Sequence, residues 1–223
     1  MIKLGLPSKG RLQQNCFDWF AACGVKIERA EEGREYSGRV VGAEGVELVL
    51  LSAAEVPREL AAGRIDLGVT GEDMVRERIP NANALISLEQ KLGFGHADLV
   101  IAVPSVWIDV DTLHDLDAAA AAFRKAHGRR LRIATKYHNL ARAFLTEQGV
   151  ADYQLVDSQG ATEATPLNQT AEAIIDITSS GETLRANHLK TLRDGLILKS
   201  EANLCRSLTS GADCSAFLDR LGL

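Results

Sequence analysis

Between Ile174 and Leu184 the sequence reads IIDITSSGETL, and no other stretch constrains the fold as tightly. The β-branched residues Ile174, Ile175 and Ile177 suit a buried strand. The chain then breaks into Ser179, Ser180 and Gly181 before Thr183-Leu184-Arg185-Ala186 opens a helix. The same order recurs along the chain. Ile2 to Leu6 reads as a strand, Pro7 to Arg11 as a turn, and the following helix carries Leu12, Cys16, Phe20 and Cys23 on one stripe with Gly24 as its stop. Glu47 to Leu51 is a strand and Ala54 to Ala62 a helix with Pro57 near its start. Arg64 to Val69 runs into Thr70-Gly71 and a helix start at Glu72-Asp73, and Leu131 to Thr135 is followed by a helix over Asn139 to Gln148. Such alternation predicts an α/β protein with mostly parallel sheets and ligands at the C-terminal strand edges.

Ala97 to Val103 is a near-continuous apolar strand ended by Pro104 and preceded by the glycines of Leu92-Gly93-Phe94-Gly95-His96. Leu113 to His127 is a strong helix former with acids early and bases late, as the helix dipole prefers. Tyr153 to Val156 reads as a strand, Leu196 to Leu198 as a returning strand, Ala202 to Leu208 as a helix and Gly211 to Leu223 as a last short helix. The strand at 96–103 and the return near 196–200 predict two lobes joined by two crossings: residues 1–95 with 191–223, and residues 96–190, with a hinged ligand cleft between them. With 223 residues, 46% apolar and 25% charged, each lobe has material for a core. The N-terminus lacks the basic and apolar regions of a signal peptide and no stretch approaches a membrane span, so a cytoplasmic protein without membrane contact is expected. A net charge of -5 argues against nucleic acid as a partner, and Cys16, Cys23, Cys205 and Cys214 lack paired metal-ligand spacing, so they read as packed thiols.

The turn after Ile177 has its own chemistry. Backbone N–H groups at the helix start converge with the hydroxyls of Thr178, Ser179, Ser180 and Thr183, which suits a phosphate monoester. Asp176 would repel phosphate unless it faces a hydroxyl pair or a metal, so the combination suggests a ribose phosphate with its sugar hydroxyls on the acid. A Ser/Thr-rich capped turn fits the same residues, and the stretch alone does not choose. Lys9 and Arg11 stand where they can face a pyrophosphate or simply be solvated. Gly68 and Gly71 permit either close ligand approach or tight packing. Glu163, in the loop Gly160 to Pro166, comes within range of a ligand if the strands are parallel. Lys136, Tyr137 and His138 occupy a turn, and His96 receives no role.

Five segments taken together resemble the ATP phosphoribosyltransferase family: PSKGRL at 7–12, DLGVTGED at 66–73, LGFGHADLVIAVP at 92–104, RIATKYHNLARAF at 132–144 and DITSSGETLRANHL at 176–189. The resemblance implies two α/β lobes like those of type II periplasmic binding proteins. It also implies transfer of 5-phosphoribosyl from phosphoribosyl pyrophosphate to N1 of the ATP adenine, with Mg2+, as the first step of histidine biosynthesis. By the same match Lys9, Arg11 and Arg34 are the catalytic cations, and ATP is bound by Lys9, Gly10, Arg11, Thr70, Gly71 and Asp73. Phosphoribosyl pyrophosphate falls to Glu163, Asp176, Thr178, Ser179, Ser180, Gly181, Glu182 and Thr183, and Mg2+ is expected mainly through substrate phosphates rather than protein ligands. The length resembles the short form, which implies a histidyl-tRNA-synthetase-like regulatory subunit in a hetero-octamer and a dimer when alone. The chain departs from the family pattern at Ser8, at Leu51-Ser52 where an arginine is common, at 166–172 and at Tyr137-His138-Asn139. A non-catalytic small-molecule binding protein on the same scaffold is the alternative, and a phosphoribosyltransferase with another acceptor base is the third reading.

Overall fold

Short apolar runs separated by polar turns bury themselves only by joining a sheet that helices cover. The computed structural model, which describes residues 1–29, 37–158 and 160–223, arranges them in two compact units, Met1–His96 with Glu201–Leu223, and Ala97–Ser200. The first unit begins β1 (Ile2–Pro7), α1 (Gly10–Ala22), β2 (Lys26–Arg29), β3 (Ser37–Val41) and β4 (Val46–Leu51). It continues α2 (Val56–Ala61), β5 (Leu67–Gly71), α3 (Glu72–Arg78), α4 (Ala82–Leu85) and β6 (Ile86–Lys91). The second unit carries β7 (Ala97–Pro104), α5 (Leu113–His127), β8 (Leu131–Thr135), α6 (His138–Glu147) and β9 (Tyr153–Asp157). A 3-10 turn at Thr162–Ala164, β10 (Ala173–Thr178), α7 (Glu182–Ala186) and β11 (Leu189–Ser200) complete it. The chain returns to the first unit as β12 (Ala202–Ser207) and α8 (Ser215–Leu221).

The first sheet has the order β2-β3-β4-β1-β5-β12-β6. One face packs Leu4 and Leu6 against Cys16 and Phe20 of α1 and Phe217 and Leu221 of α8. The other packs Val56 and Leu60 of α2 and Val75 of α3 around Cys205. Strands covered on both faces cannot alternate apolar with polar, which is why Leu4 to Pro7 are buried without a break. The second sheet has the order β11-β7-β10-β8-β9. Val100, Ala102, Ala134 and Ile174 share a face with Leu184 of α7. The helix α5 opens with a capping box, in which the Thr112 hydroxyl accepts from the Asp115 N–H and the Asp115 carboxylate accepts from the Thr112 N–H, and it stops at Gly128 with φ 68°.

The α/β class and two-unit organisation match the sequence reading, with three corrections of detail. The sheets are mixed rather than mostly parallel: β1 is parallel to β4 and β5, and β8 to β9 and β10, while β7 runs antiparallel to β10 and β11, and β12 to β5 and β6. Residues 202–207 form a strand, not a helix. Ala202 to Cys205, the polar Asn203 included, are buried in succession between two neighbouring strands, and so short a run carries no period that separates a helix from a central strand. Residues 191–200, expected in the first lobe, pair with β7 inside the second sheet, so the chain leaves the second unit at Ser200. The strands β2, β3 and β6 add to those that the sequence pattern predicts. Among the described residues no helix is long and apolar enough to cross a membrane.

Candidate functional site

In the second unit the parallel strands β10, β8 and β9 pair with Ile175 beside Thr135 and Thr135 beside Asp157, so their C-terminal ends share one sheet edge. From that edge β10 continues through Asp176 and Thr178 into Ser179-Ser180-Gly181 and α7. Gly181 adopts φ 71°, a left-handed conformation that turns the chain into the helix with no Cβ penalty. Its N–H donates to the Thr178 hydroxyl at 2.8 Å, and the Glu182 N–H donates to the Ser180 hydroxyl at 3.4 Å. A hydroxyl that accepts in this way keeps its own hydrogen for an outside acceptor. Ser179, Ser180, Glu182 and Thr183 are exposed. Arg185 folds back over the loop and donates to the Ser180 carbonyl at 3.1 Å.

Asp176 is partly buried on β10 and accepts from the Ile177 N–H at 2.9 Å. Burial, foremost, raises its pKa above the ordinary aspartate value. The Ile177 N–H, the Lys136 charge and the Thr162 hydroxyl oppose that rise, and the Glu163 carboxylate adds to it. Thr162 is fully buried in the 3-10 turn and its hydroxyl shares a 2.8 Å hydrogen bond with Ser158. Lys136 donates to the Gly160 carbonyl at 2.7 Å. The second unit therefore brings Asp176, Glu163, Thr162 and Lys136 together beside the hydroxyl-bearing loop. Sequence reasoning singled out the first two and the loop. It passed over Lys136, Thr162 and Arg185, for which the available signal was the place of each within a few residues of a parallel strand's end.

In the first unit β1 lies between β4 and β5, with Gly5 beside Gly68, so the turns after all three strands also share an edge. Lys9 stands just before α1 in extended conformation, and Gly10 (φ 80°) and Arg11 form its first turn. Lys9 and Arg11 are exposed, and neither pairs with an acid among the described residues. Gly71 precedes α3 as its N-cap. Thr70 faces inward: it is fully buried and its hydroxyl donates to the Ala53 carbonyl. Asp73 is buried and partnered within the protein. Gly68 is a packing glycine, since a Cβ there would lie 2.8 Å from Val56 Cγ1. Arg34 lies outside the described residues. Among the described residues no group of three or more His, Cys, Asp or Glu side chains is placed to hold a metal ion.

The chain matches the ATP phosphoribosyltransferase (HisG) family over residues 52–221. It is 67% identical over 206 residues to the ATP phosphoribosyltransferase of Cereibacter sphaeroides, covering 92% of this chain and 87% of that relative. The chain belongs to the ATP phosphoribosyltransferase family. Two solved structures agree on the fold. The chain in the ATP phosphoribosyl transferase (HisG:HisZ) complex from Thermotoga maritima superposes with a TM-score of 0.75 at 22% identity, over 100% of this chain and 96% of that one. A histidine kinase sensor domain with similarity to periplasmic binding proteins gives a TM-score of 0.54 at 13% identity, over 99% and 86% of the two chains. The second likeness shows fold alone, so the non-catalytic binding-protein reading is not favoured, whereas membership of the family carries the transferase activity and its place in histidine biosynthesis.

Proposed function

We propose that the ribose 5-phosphate of phosphoribosyl pyrophosphate is held at the β10 edge, and that Lys9 and Arg11 meet the diphosphate or the ATP phosphates. The observation that carries this reading is the continuity from Asp176 into Thr178–Gly181. One partly buried carboxylate able to accept from two sugar hydroxyls is followed within five residues by hydroxyls whose hydrogens are free for a phosphate. Glu163 joins Asp176 at the ribose, and Thr183 and Glu182 border the phosphate. Gly10 and Gly71 give the backbone room beside ATP. Thr70 and Asp73 serve ATP indirectly, by fixing the turns of the first sheet, because both side chains are occupied within the protein. Arg34 joins the cations by resemblance alone.

In the reaction the lone pair on adenine N1 forms a bond to ribose C1 as the bond from C1 to the diphosphate oxygen breaks, and the diphosphate leaves with that electron pair. The nucleophile has no proton to lose before attack, so no general base is needed. Charge builds on the leaving oxygens while the ribose acquires oxocarbenium character. Cations stabilise the charge on the leaving oxygens, and the carboxylates Asp176 and Glu163 favour the oxocarbenium character of the ribose. Mg2+ is proposed as travelling with the diphosphate. As a hard cation it would take substrate phosphate oxygens and would offset the charge of the leaving diphosphate.

A regulatory subunit of the HisZ kind, resembling histidyl-tRNA synthetase, is proposed as the partner in a hetero-octamer, and the cytoplasm as the place of work. The likeness in fold to the Thermotoga chain supports the pairing. The site assignment is tested by Thr178→Val, which keeps the shape and removes the donor. KM for phosphoribosyl pyrophosphate should rise about tenfold with KM for ATP little changed. A rise confined to ATP would place the phosphate elsewhere.

A further inference from the structure

Lys136 is the first residue past β8, and the register fixes what it stands beside. Ile175 pairs with Thr135, both fully buried, so the next residue along each chain, Asp176 and Lys136, turns to the opposite face, at the sheet edge just beyond the buried Ile174 and Ala134. The Lys136 ammonium donates to the Gly160 carbonyl at 2.7 Å. Gly160 begins the short path through Ala161 to Thr162 and Glu163, the residues that bear on Asp176 from across the edge. At its far end this path is anchored by the buried hydrogen bond between Thr162 and Ser158. The Gly160 end is held by Lys136.

Charge makes the second part of the argument. Glu163 lies close enough to oppose the ionisation of Asp176, and Asp98 on β7 stands opposite Thr178. Asp157 at the end of β9 is paired with His138 at 3.3 Å. An anionic sugar phosphate entering beside these carboxylates meets repulsion unless a cation offsets it. Among the described residues Lys136 is the cation that acts on Asp176, and it makes no ion pair of its own.

We infer that Lys136 is a positioning residue for phosphoribosyl pyrophosphate: by holding the Gly160 carbonyl it keeps Thr162 and Glu163 against Asp176, and its charge admits an anion to a carboxylate-lined ribose site. The inference rests on the assignment of Asp176 and Glu163 to the ribose. Titration of the wild-type chain with phosphoribosyl pyrophosphate therefore comes first, since absence of binding there overturns that assignment itself. With binding established, Lys136→Met removes both the bond and the charge, and Lys136→Arg restores a donor and a charge. Lys136→Met should raise KM for phosphoribosyl pyrophosphate about tenfold, with kcat and KM for ATP changed by less than about threefold. Lys136→Arg should recover most of the loss. Lys136 is exposed, so the thermal midpoint of both variants should match the wild type. Unchanged KM for phosphoribosyl pyrophosphate in Lys136→Met, or equal losses for both substrates that arginine does not rescue, would overturn the role of Lys136 and leave the proposed function standing.

Discussion

Asp176 is held partly buried at the end of β10, where burial works against its charge. Its folded pKa lies above the ordinary aspartate value, so the folded chain binds the proton more readily than the unfolded one. The ionised carboxylate is therefore a cost to stability that grows as pH rises through the folded pKa and is absent below the ordinary value. Asp176→Asn should accordingly weaken phosphoribosyl pyrophosphate binding while raising the thermal midpoint at neutral pH, with the stability gain shrinking toward low pH. A lower midpoint at neutral pH would contradict this. Glu172 has the opposite sign. Burial pushes its carboxyl up, but Arg132, Arg129 and the Arg132 N–H together outweigh burial and bring it down to about 2. That stability is present above the ordinary glutamate value and is lost as pH falls from there toward about 2. Glu172→Gln should cost about 2 kcal/mol at neutral pH, a difference that urea titration should find closing in acid. At this scale the sequence displayed the Asp176-to-Thr183 stretch because all its parts are contiguous. It did not display Lys136, whose meaning depends on which strand lies beside β8, nor the inward turn of Thr70, which depends on Ala53 being within reach.

The secondary elements were legible where period and punctuation agreed. Leu113–His127, with its Thr112 and Asp115 box and its Gly128 stop, and Ala97–Pro104, ended by proline, fell close to where pattern put them. Legibility failed where the deciding partner is remote. The strand β12 runs between β5 and β6, which are contributed from more than a hundred residues earlier, and β2 and β3 form an antiparallel pair whose residues alternate too weakly to announce it. Gly68 illustrates an ambiguity that only packing resolves. A methyl there would meet Val56 Cγ1 at 2.8 Å and the Gly5 carbonyl oxygen at 3.3 Å, so β5 and β1 must part or α2 must shift. Gly68→Ala should lower stability by about 1–3 kcal/mol in denaturant titration. Unchanged stability with impaired ATP binding would instead make Gly68 a ligand-facing glycine.

For the whole molecule, two sheets built on one principle each gather their turns at the C-terminal edge of parallel strands, and each edge bears a different chemistry. One has the cations Lys9 and Arg11, the other the carboxylates Asp176 and Glu163 with the hydroxyl loop. A solute-binding scaffold shares this architecture, so the architecture does not decide between binding and catalysis, and family membership does. As a member of the ATP phosphoribosyltransferase family, the protein joins its two substrates. The most direct measurement follows absorbance near the adenine band on mixing the purified chain with ATP, phosphoribosyl pyrophosphate, Mg2+ and pyrophosphatase, alone and with a HisZ-type subunit. Appearance of phosphoribosyl-ATP that depends on both substrates and is lost in Arg11→Ala is the predicted result. Measurable binding of both ligands with no product under either condition would contradict the account.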